Sequence, residues 1–269
     1  MTNINKNLAL QELQKLLVLN FSKTLSYMSD DFNNNQKYII ELLTKRVFLE
    51  EIVEETISFN KKINWDSSLK NLSIVTNAED LIKVFELRSD VYKNINYLKE
   101  FPDLIDGLNL DIYDKNSAII FYKNDQNISG TTRLIFDSEN KLPSDKIFSF
   151  DNIRKQYNKI GELSRLIVKH EKKGLNLEFK YLMKGAYLLF ILNDIDMTFL
   201  GIKKDHYKLY ERFGGSNIIQ ELDNYGNLDL DALILSWNPS EVSDFLRPLN
   251  IPCQVNSDRR NPITPELKF

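Results

Sequence analysis

The run Gly161-Glu162-Leu163-Ser164-Arg165-Leu166-Ile167-Val168, followed by Lys169-His170-Glu171-Lys172-Lys173-Gly174-Leu175, limits what this chain can fold into. It reads as a strand bearing an acid and a base, a basic glycine-containing turn, and a helix from about Leu175 to about Asn193. The strand rests on a dense apolar run with β-branched Ile160, Ile167 and Val168. The helix rests on its length and on Leu177, Tyr181, Met183, Leu188 and Leu192. A strand that delivers a carboxylate beside a helix N-terminus places an acid next to backbone N–H groups that bind anions. Strand–turn–helix units are common in α/β proteins, so plain structure remains an alternative at this point.

Composition removes several function classes. The chain has 269 residues, enough for one large or two small domains with a sizeable core. Its net charge of −3 gives no basic excess of the kind nucleic acid requires, so no nucleic-acid partner is expected. Cys253 is the only cysteine, which excludes an intramolecular disulfide and fits a reducing compartment. His170 and His206 are too few for a histidine-built zinc site and read as surface residues; no metal is expected. The apolar run 186–192 falls short of the roughly 20 residues a membrane span needs. Residues 1–6 show no basic segment followed by an apolar one. The expectation is a cytoplasmic protein with no transmembrane segment.

Residues 1–66 read as a helical extension. Leu8, Leu10, Leu13, Leu16, Leu17, Leu19 and Phe21 form a first amphipathic segment, and 38–59 a second with an acidic polar face at Glu50, Glu51, Glu54 and Glu55. From Trp65 the texture alternates, and 67–269 reads as one domain. Leu72 to Val75 is a strand, and Thr76 with Glu79 three residues on predicts a capped helix running to about Tyr92. Residues 117–122 and 128–136 form a hairpin, and 137–156 are irregular, with Phe148 and Phe150 folding inward. A strand at 197–202, a short helix at 206–213 ended by Gly214-Gly215, and strands at 218–222 and 233–237 follow. The order predicts an α/β (α+β) fold, a mixed sheet with helices on both faces.

The order resembles the GNAT acyltransferase fold with a mostly antiparallel central sheet. The residues narrow it to a resemblance with the acyl-homoserine-lactone (autoinducer) synthases and the N-acyl amino acid synthases. The matching residues are Arg88 with Tyr92, Asp111 with Asp114, Gly130-Thr131-Thr132-Arg133-Leu134, Phe148 or Phe150, and Glu162-Leu163-Ser164-Arg165, within about residues 70–215. The lactone synthases carry a glutamate two residues before the first aspartate, where this chain has Asn109. They carry a tryptophan where this chain has Tyr97-Leu98. Both features belong to the branch that uses S-adenosylmethionine, so the resemblance implies a small amino-acid-like amine as acceptor. The acetyltransferase phosphate signature would align at 171–176 and is degenerate there, which leaves acyl-carrier-protein phosphopantetheine or acyl-CoA as donor and no permanently bound cofactor.

Amine acylation needs a base for the amine, stabilisation of an oxyanion, and a proton for the departing thiol. The resemblance implies Glu162 as base, or alternatively as half of a structural ion pair. Strand alternation separates Glu162 from Arg165 unless the strand is bulged, as the GNAT fold implies. Arg88, Asp111, Asp114 and Arg133 form either a supporting charge network or direct acceptor contacts, with Phe148 and Phe150 beside the substrate. Tyr210 stands where GNAT enzymes place a tyrosine that protonates the thiolate; a packed aromatic is the alternative. Val168, Lys169, Lys172, Lys173 and Gly174 would hold the donor's phosphopantetheine and, with Lys203 and Lys204, steer an acidic carrier protein, unless the turn is merely solvated. Two other functions stay open: a non-catalytic lipid- or protein-binding module of this fold, and a conventional acetyl-CoA N-acetyltransferase.

Overall fold

The computed structural model describes residues 34–69, 71–124, 127–169 and 177–243. The first amphipathic segment, Lys172, Lys173 and Gly174 lie outside them. The elements are α1 (Asn34–Asn60), β1 (Leu72–Ile74), α2 (Ala78–Asn94), β2 (Ser117–Asn124), β3 (Asn127–Phe136), α3 (Asp151–Arg154), β4 (Ile160–Val168), α4 (Leu177–Leu192), β5 (Met197–Lys203), α5 (Tyr207–Glu211), β6 (Ser216–Leu222) and β7 (Ala232–Trp237). The strands form one seven-stranded sheet in the order β1-β2-β3-β4-β5-β7-β6. Neighbours are antiparallel except β4 and β5, which run parallel. This is the GNAT-like mixed α/β sheet that the sequence order predicts. None of the described helices is long and apolar enough to cross a membrane.

Alternation along the strands sorts two cores. Ile120, Leu134, Leu163 and Leu200 point to the face covered by α4, where Leu182, Ala186, Leu189 and Phe190 are buried against them. Ile119 and Phe121 point to the opposite face, where α1 supplies Ile52 and α2 supplies Leu81, Val84 and Phe85. Beyond α2 the same face carries Ile135, Ile160 and Phe199, covered by Leu142 and Phe150 of the β3–β4 crossover. The side-chain amide of Asn60, at the end of α1, ties that helix to the sheet. It donates to the Thr56 and Ser117 carbonyls at 2.8 Å each and accepts from Ile119 N–H at 2.9 Å.

Helix α2 starts one residue later than its sequence suggests. Asn77, not Thr76, is the N-cap: its side chain accepts from Asp80 N–H at 2.8 Å and donates to the Asp80 carboxylate. The preceding residue, Val75, donates its N–H to Ile119 O at 2.9 Å, so β-type pairing with β2 continues past β1 and delays the helix. The crossover 137–159 is less irregular than expected, with a 3₁₀ turn at Pro143–Lys146 and the single turn of α3.

Two features of β4 place the site. Its register with β3 slips between Thr131 and Arg133, so one extra residue is accommodated in β4. Arg165 lies there with φ +52°, the left-handed region that costs a non-glycine residue about 1–2 kcal/mol. The bulge turns Arg165 toward the face that carries Glu162, as the resemblance requires. The ladder between β4 and β5 spans only Ile160, Gly161 and Glu162 against Met197, Thr198 and Phe199. From there β4 stays paired with β3 and β5 with β7, so beyond Glu162 and Phe199 no ladder joins their facing edges and the sheet is open between them.

Asn60 is buried, and truncating it strands a carbonyl and an N–H of β2 away from water. Asn60→Ala is expected to lower unfolding stability by about 2–3 kcal/mol in a urea titration. A loss under roughly 0.5 kcal/mol would show that α1 does not depend on this amide.

Candidate active site

The D-x-x-D spacing has a local cause. Asp111 N-caps a 3₁₀ turn, Ile112–Asn116, by accepting from Tyr113 N–H at 3.0 Å, while Asp114 reaches back to accept from Asp111 N–H at 3.0 Å. Three residues is the separation at which such a reciprocal cap closes. The remaining oxygen capacity of both carboxylates points at arginines from three other elements. Arg133 of β3 binds Asp111 in a fork at 2.6 and 2.9 Å, and Asp114 at 2.8 Å. Arg88 of α2 reaches Asp114 at 2.9 Å, both side chains being wholly buried. Arg165 reaches Asp111 at 2.9 Å through the bulge. Burial opposes ionisation of Asp111, yet Arg133 and Arg165 hold its carboxyl far below the usual carboxylate range. Three guanidiniums face two aspartates, and Arg88 Nε and Nη2 and Arg165 Nη1 are buried N–H groups without a hydrogen-bond partner among the described residues.

Glu162 lies on the same sheet face, in register with Ile135 and Phe199 at the last rung of the β4–β5 ladder. Its side chain is buried and accepts from Ser144 N–H at 2.9 Å. Ser144 is held there by a fork: Arg154 binds Asp137 and Asp145 with four hydrogen bonds of 2.6–2.7 Å, and Asp145 also accepts from Leu142 N–H. Burial raises the Glu162 carboxyl to about 7, the Ser144 hydrogen bond and Arg133 acting in the opposite direction.

The structure therefore brings Glu162, Arg133, Arg165, Arg88, Asp111 and Asp114 onto one face. Phe150 is wholly buried, 4.5 Å between ring centroids from Phe199, and belongs to the core beneath Glu162; Phe148, half-buried, leans on it at 5.1 Å. Tyr210 is on the α4 face, packed with Phe179 and Phe213. Val168 ends β4 opposite Gly130, and Lys169 donates its N–H to Ser129 O. Lys203 and Lys204 are each engaged, with Asp205 and Glu221. Asn109 is buried and donates to the Phe101 carbonyl at 2.7 Å and to Asp103 at 3.2 Å, tying down the loop after α2. That loop positions Phe101, whose ring lies 4.4 Å from the Arg165 guanidinium, with the Tyr92 ring at 5.2 Å.

Sequence reasoning missed Ser144, Arg154, Phe101 and Tyr225. The Pro143-x-Asp145 turn was a usable signal for the first, since proline at the start of a turn with an acid two residues on is a helix-start pattern. Nothing local to Tyr225 links it to β4.

Residues 83–238, more than half of the chain, match the family model of FeeM, an N-acyl amino acid synthase. The chain belongs to this family. The structure of FeeM itself, from uncultured soil microbes, superposes with a TM-score of 0.52 at 17% identity, covering 63% of this chain and 90% of that one. The acyl-homoserine-lactone synthase LasI covers 62% and 89% with a TM-score of 0.49 and 17% identity. A protein of Plasmodium falciparum (isolate 3D7), described as uncharacterized, is 28% identical over 199 residues; they span 66% of this chain but only 12% of that protein.

The raised Glu162 carboxyl makes stability fall with pH. Below about pH 4.5 it is protonated folded and unfolded; between 4.5 and about 7 only the folded chain keeps the proton, so raising pH favours unfolding. Relative to Glu162→Gln, the wild type is expected to lose on the order of 3 kcal/mol across that window and to stay level above it. Parallel pH–stability curves for the two proteins would contradict this. Asp114→Ala leaves Arg88 buried without its carboxylate and is expected to cost about 3–5 kcal/mol by chemical denaturation.

Proposed function

We propose that the chain is an N-acyltransferase that moves a fatty acyl group from an acyl-carrier-protein or acyl-CoA thioester to the amine of a small, amino-acid-like acceptor. The observation that carries this is Glu162: a buried carboxyl titrating near 7 at the point where β4 and β5 part. A general base is most effective when its pKa lies near the working pH. Ligands of open parallel strands collect at their carboxyl ends, where this opening lies. An extended pantetheine arm carries amides that pair with an unpaired strand edge as an added strand does.

In this reading the acceptor ammonium gives one proton to Glu162. The freed lone pair attacks the thioester carbonyl carbon, and the backbone N–H groups released by the bulge stabilise the oxyanion. The tetrahedral intermediate breaks C–S as its nitrogen gives a second proton to solvent, leaving a neutral amide, and the thiolate takes a proton on the α4 face from a donor that solvent reprotonates. Tyr210 is the candidate donor there, burial keeping its phenol protonated. The unpaired N–H groups of Arg165 and Arg88 supply positive field in which the carboxylate of an amino-acid-like acceptor is favoured. Val168, Lys169, Lys172, Lys173 and Gly174, the last three outside the described residues, are the proposed hold on the donor. Residues 34–66 brace the acceptor face, supported by α1 packing against α2 and by Lys115 bonding Glu51 at 2.6 Å.

The test is thiol release with mass-spectrometric identification of product. Acyl-CoA and acyl-carrier-protein series, acetyl to palmitoyl, are offered with L-amino acids, ethanolamine and putrescine. Wild type is expected to release thiol with long-chain donors and one amine class, on an acid limb near pH 7. Glu162→Gln is expected to lower kcat/KM about 100-fold or more and to abolish that limb. Turnover confined to acetyl-CoA would mark an ordinary acetyltransferase, and binding without turnover a non-catalytic module.

A further inference from the structure

The loop between β6 and β7 folds back over the acceptor face. It turns at Tyr225 to Leu228, with Leu228 N–H donating to Tyr225 O at 2.9 Å and Gly226 at φ +57°. The Tyr225 ring lies 3.5 Å from where a Cβ on Gly201 would be, and its hydroxyl 3.8 Å. Gly201 is two residues beyond Phe199, the β5 partner of Glu162, and so faces the same side. The phenol thus hangs over the β5 rim of the opening, on the face from which Glu162 would meet an amine. Its ring also contacts Phe101, at 6.2 Å between centroids, the ring on which Arg165 is stacked.

A single carboxylate fixes the loop. Glu100 accepts from Asn227 N–H at 2.6 Å and lies directly against Gly226, so a side chain at that position would have to push the carboxylate aside. The charged and titratable groups that bear on the phenol electrostatically are Glu162 and Arg165 of β4, Tyr92 of α2, and Glu100 of the loop after α2. Burial first, then Glu162, pushes the phenol up to about 12, so it is neutral at working pH.

We propose that the Tyr225 hydroxyl is a contact of the acceptor amine, delivered to the site by the β6–β7 loop and held by the Glu100 latch. The proposal rests on the acyl-transfer reading. An ammonium that gives one proton to Glu162 retains two N–H bonds; the phenol oxygen accepts one and aims the lone pair at the thioester carbon.

The experiment compares wild type, Tyr225→Phe, Glu100→Gln and the double variant, using an amine accepted in the panel above. Tyr225→Phe is expected to raise the acceptor KM about 10-fold, roughly 1.4 kcal/mol, with donor KM within 2-fold. Glu100→Gln is expected to raise it in the same direction by turning the charge-assisted bond to Asn227 N–H into a weaker neutral one, and the double variant to add little to Tyr225→Phe alone. An acceptor KM within 2-fold of wild type in Tyr225→Phe overturns the proposal, as do an equal rise in donor KM or fully multiplying effects. A second readout needs no turnover. The ¹³Cζ-tyrosine resonance missing from Tyr225→Phe should shift when a panel amine is added without donor. If no amine moves it, the contact is refuted. A wild type that turns over no amine refutes acyl transfer separately.

Discussion

The arginine network on the Glu162 face of the sheet depends on two aspartates that each do two jobs. Asp111 and Asp114 close a local cap, and the same carboxylates collect arginines from α2, β3 and the β4 bulge. The cap fixes where the oxygens point before any arginine arrives, so the ordering entropy of five side chains is shared with a turn that forms locally. A buried ion pair is rarely a large net gain over apolar packing. What it supplies is direction: Arg165, at a left-handed backbone position, is aimed at Asp111 and lies against the Phe101 and Tyr92 rings. Strain of that kind persists where surrounding contacts over-determine it.

The bulge and the opening are two consequences of one strand being asked to do unlike things. The early residues of β4 pair on both sides, with β3 and with β5. Its later residues pair with β3 alone. Beyond Phe199, β5 keeps its pairing with β7 while its edge toward β4 carries no ladder. Backbone groups left on a facing edge need partners, and an extended amide-bearing ligand satisfies them as a strand would.

Much of the fold was legible because its signals are local. β-branched runs, alternating strands and glycine at a helix end gave the strand order and the α4 crossover. The D-x-x-D spacing was visible, and its cause, a period-three cap, is also local. The bulge was not readable from β4 itself: strict alternation puts Glu162 and Arg165 on opposite faces, and only resemblance to the GNAT fold brought them together. The N-cap of α2 went to Asn77 because pairing by Val75 outcompeted an earlier start at Thr76. Ser144, 18 residues before Glu162, and Tyr225, on a loop between other strands, meet β4 only through the assembled sheet. No propensity or spacing carries that information. Tyr210 illustrates the converse: its spacing to Gly214 was plain, while its face depended on topology.

The contrast between Asp111 and Glu162 explains why one carboxylate on this face is locked as an anion and the other is held near neutrality. Both are surrounded by protein, and burial pushes both upward. Asp111 receives two guanidiniums and is driven down; Glu162 receives a backbone N–H and stays high. Arg133 is near enough to affect Glu162, but its fork is occupied by Asp111 and its remaining contacts by Asp114 and Ser164. The aspartates therefore satisfy the arginine that would otherwise fix Glu162 as an inert anion. Carboxyl groups whose environments push their pKa values apart mark a division between holding and proton transfer. Here the division follows from where the cap on the turn before β2 spends its oxygens.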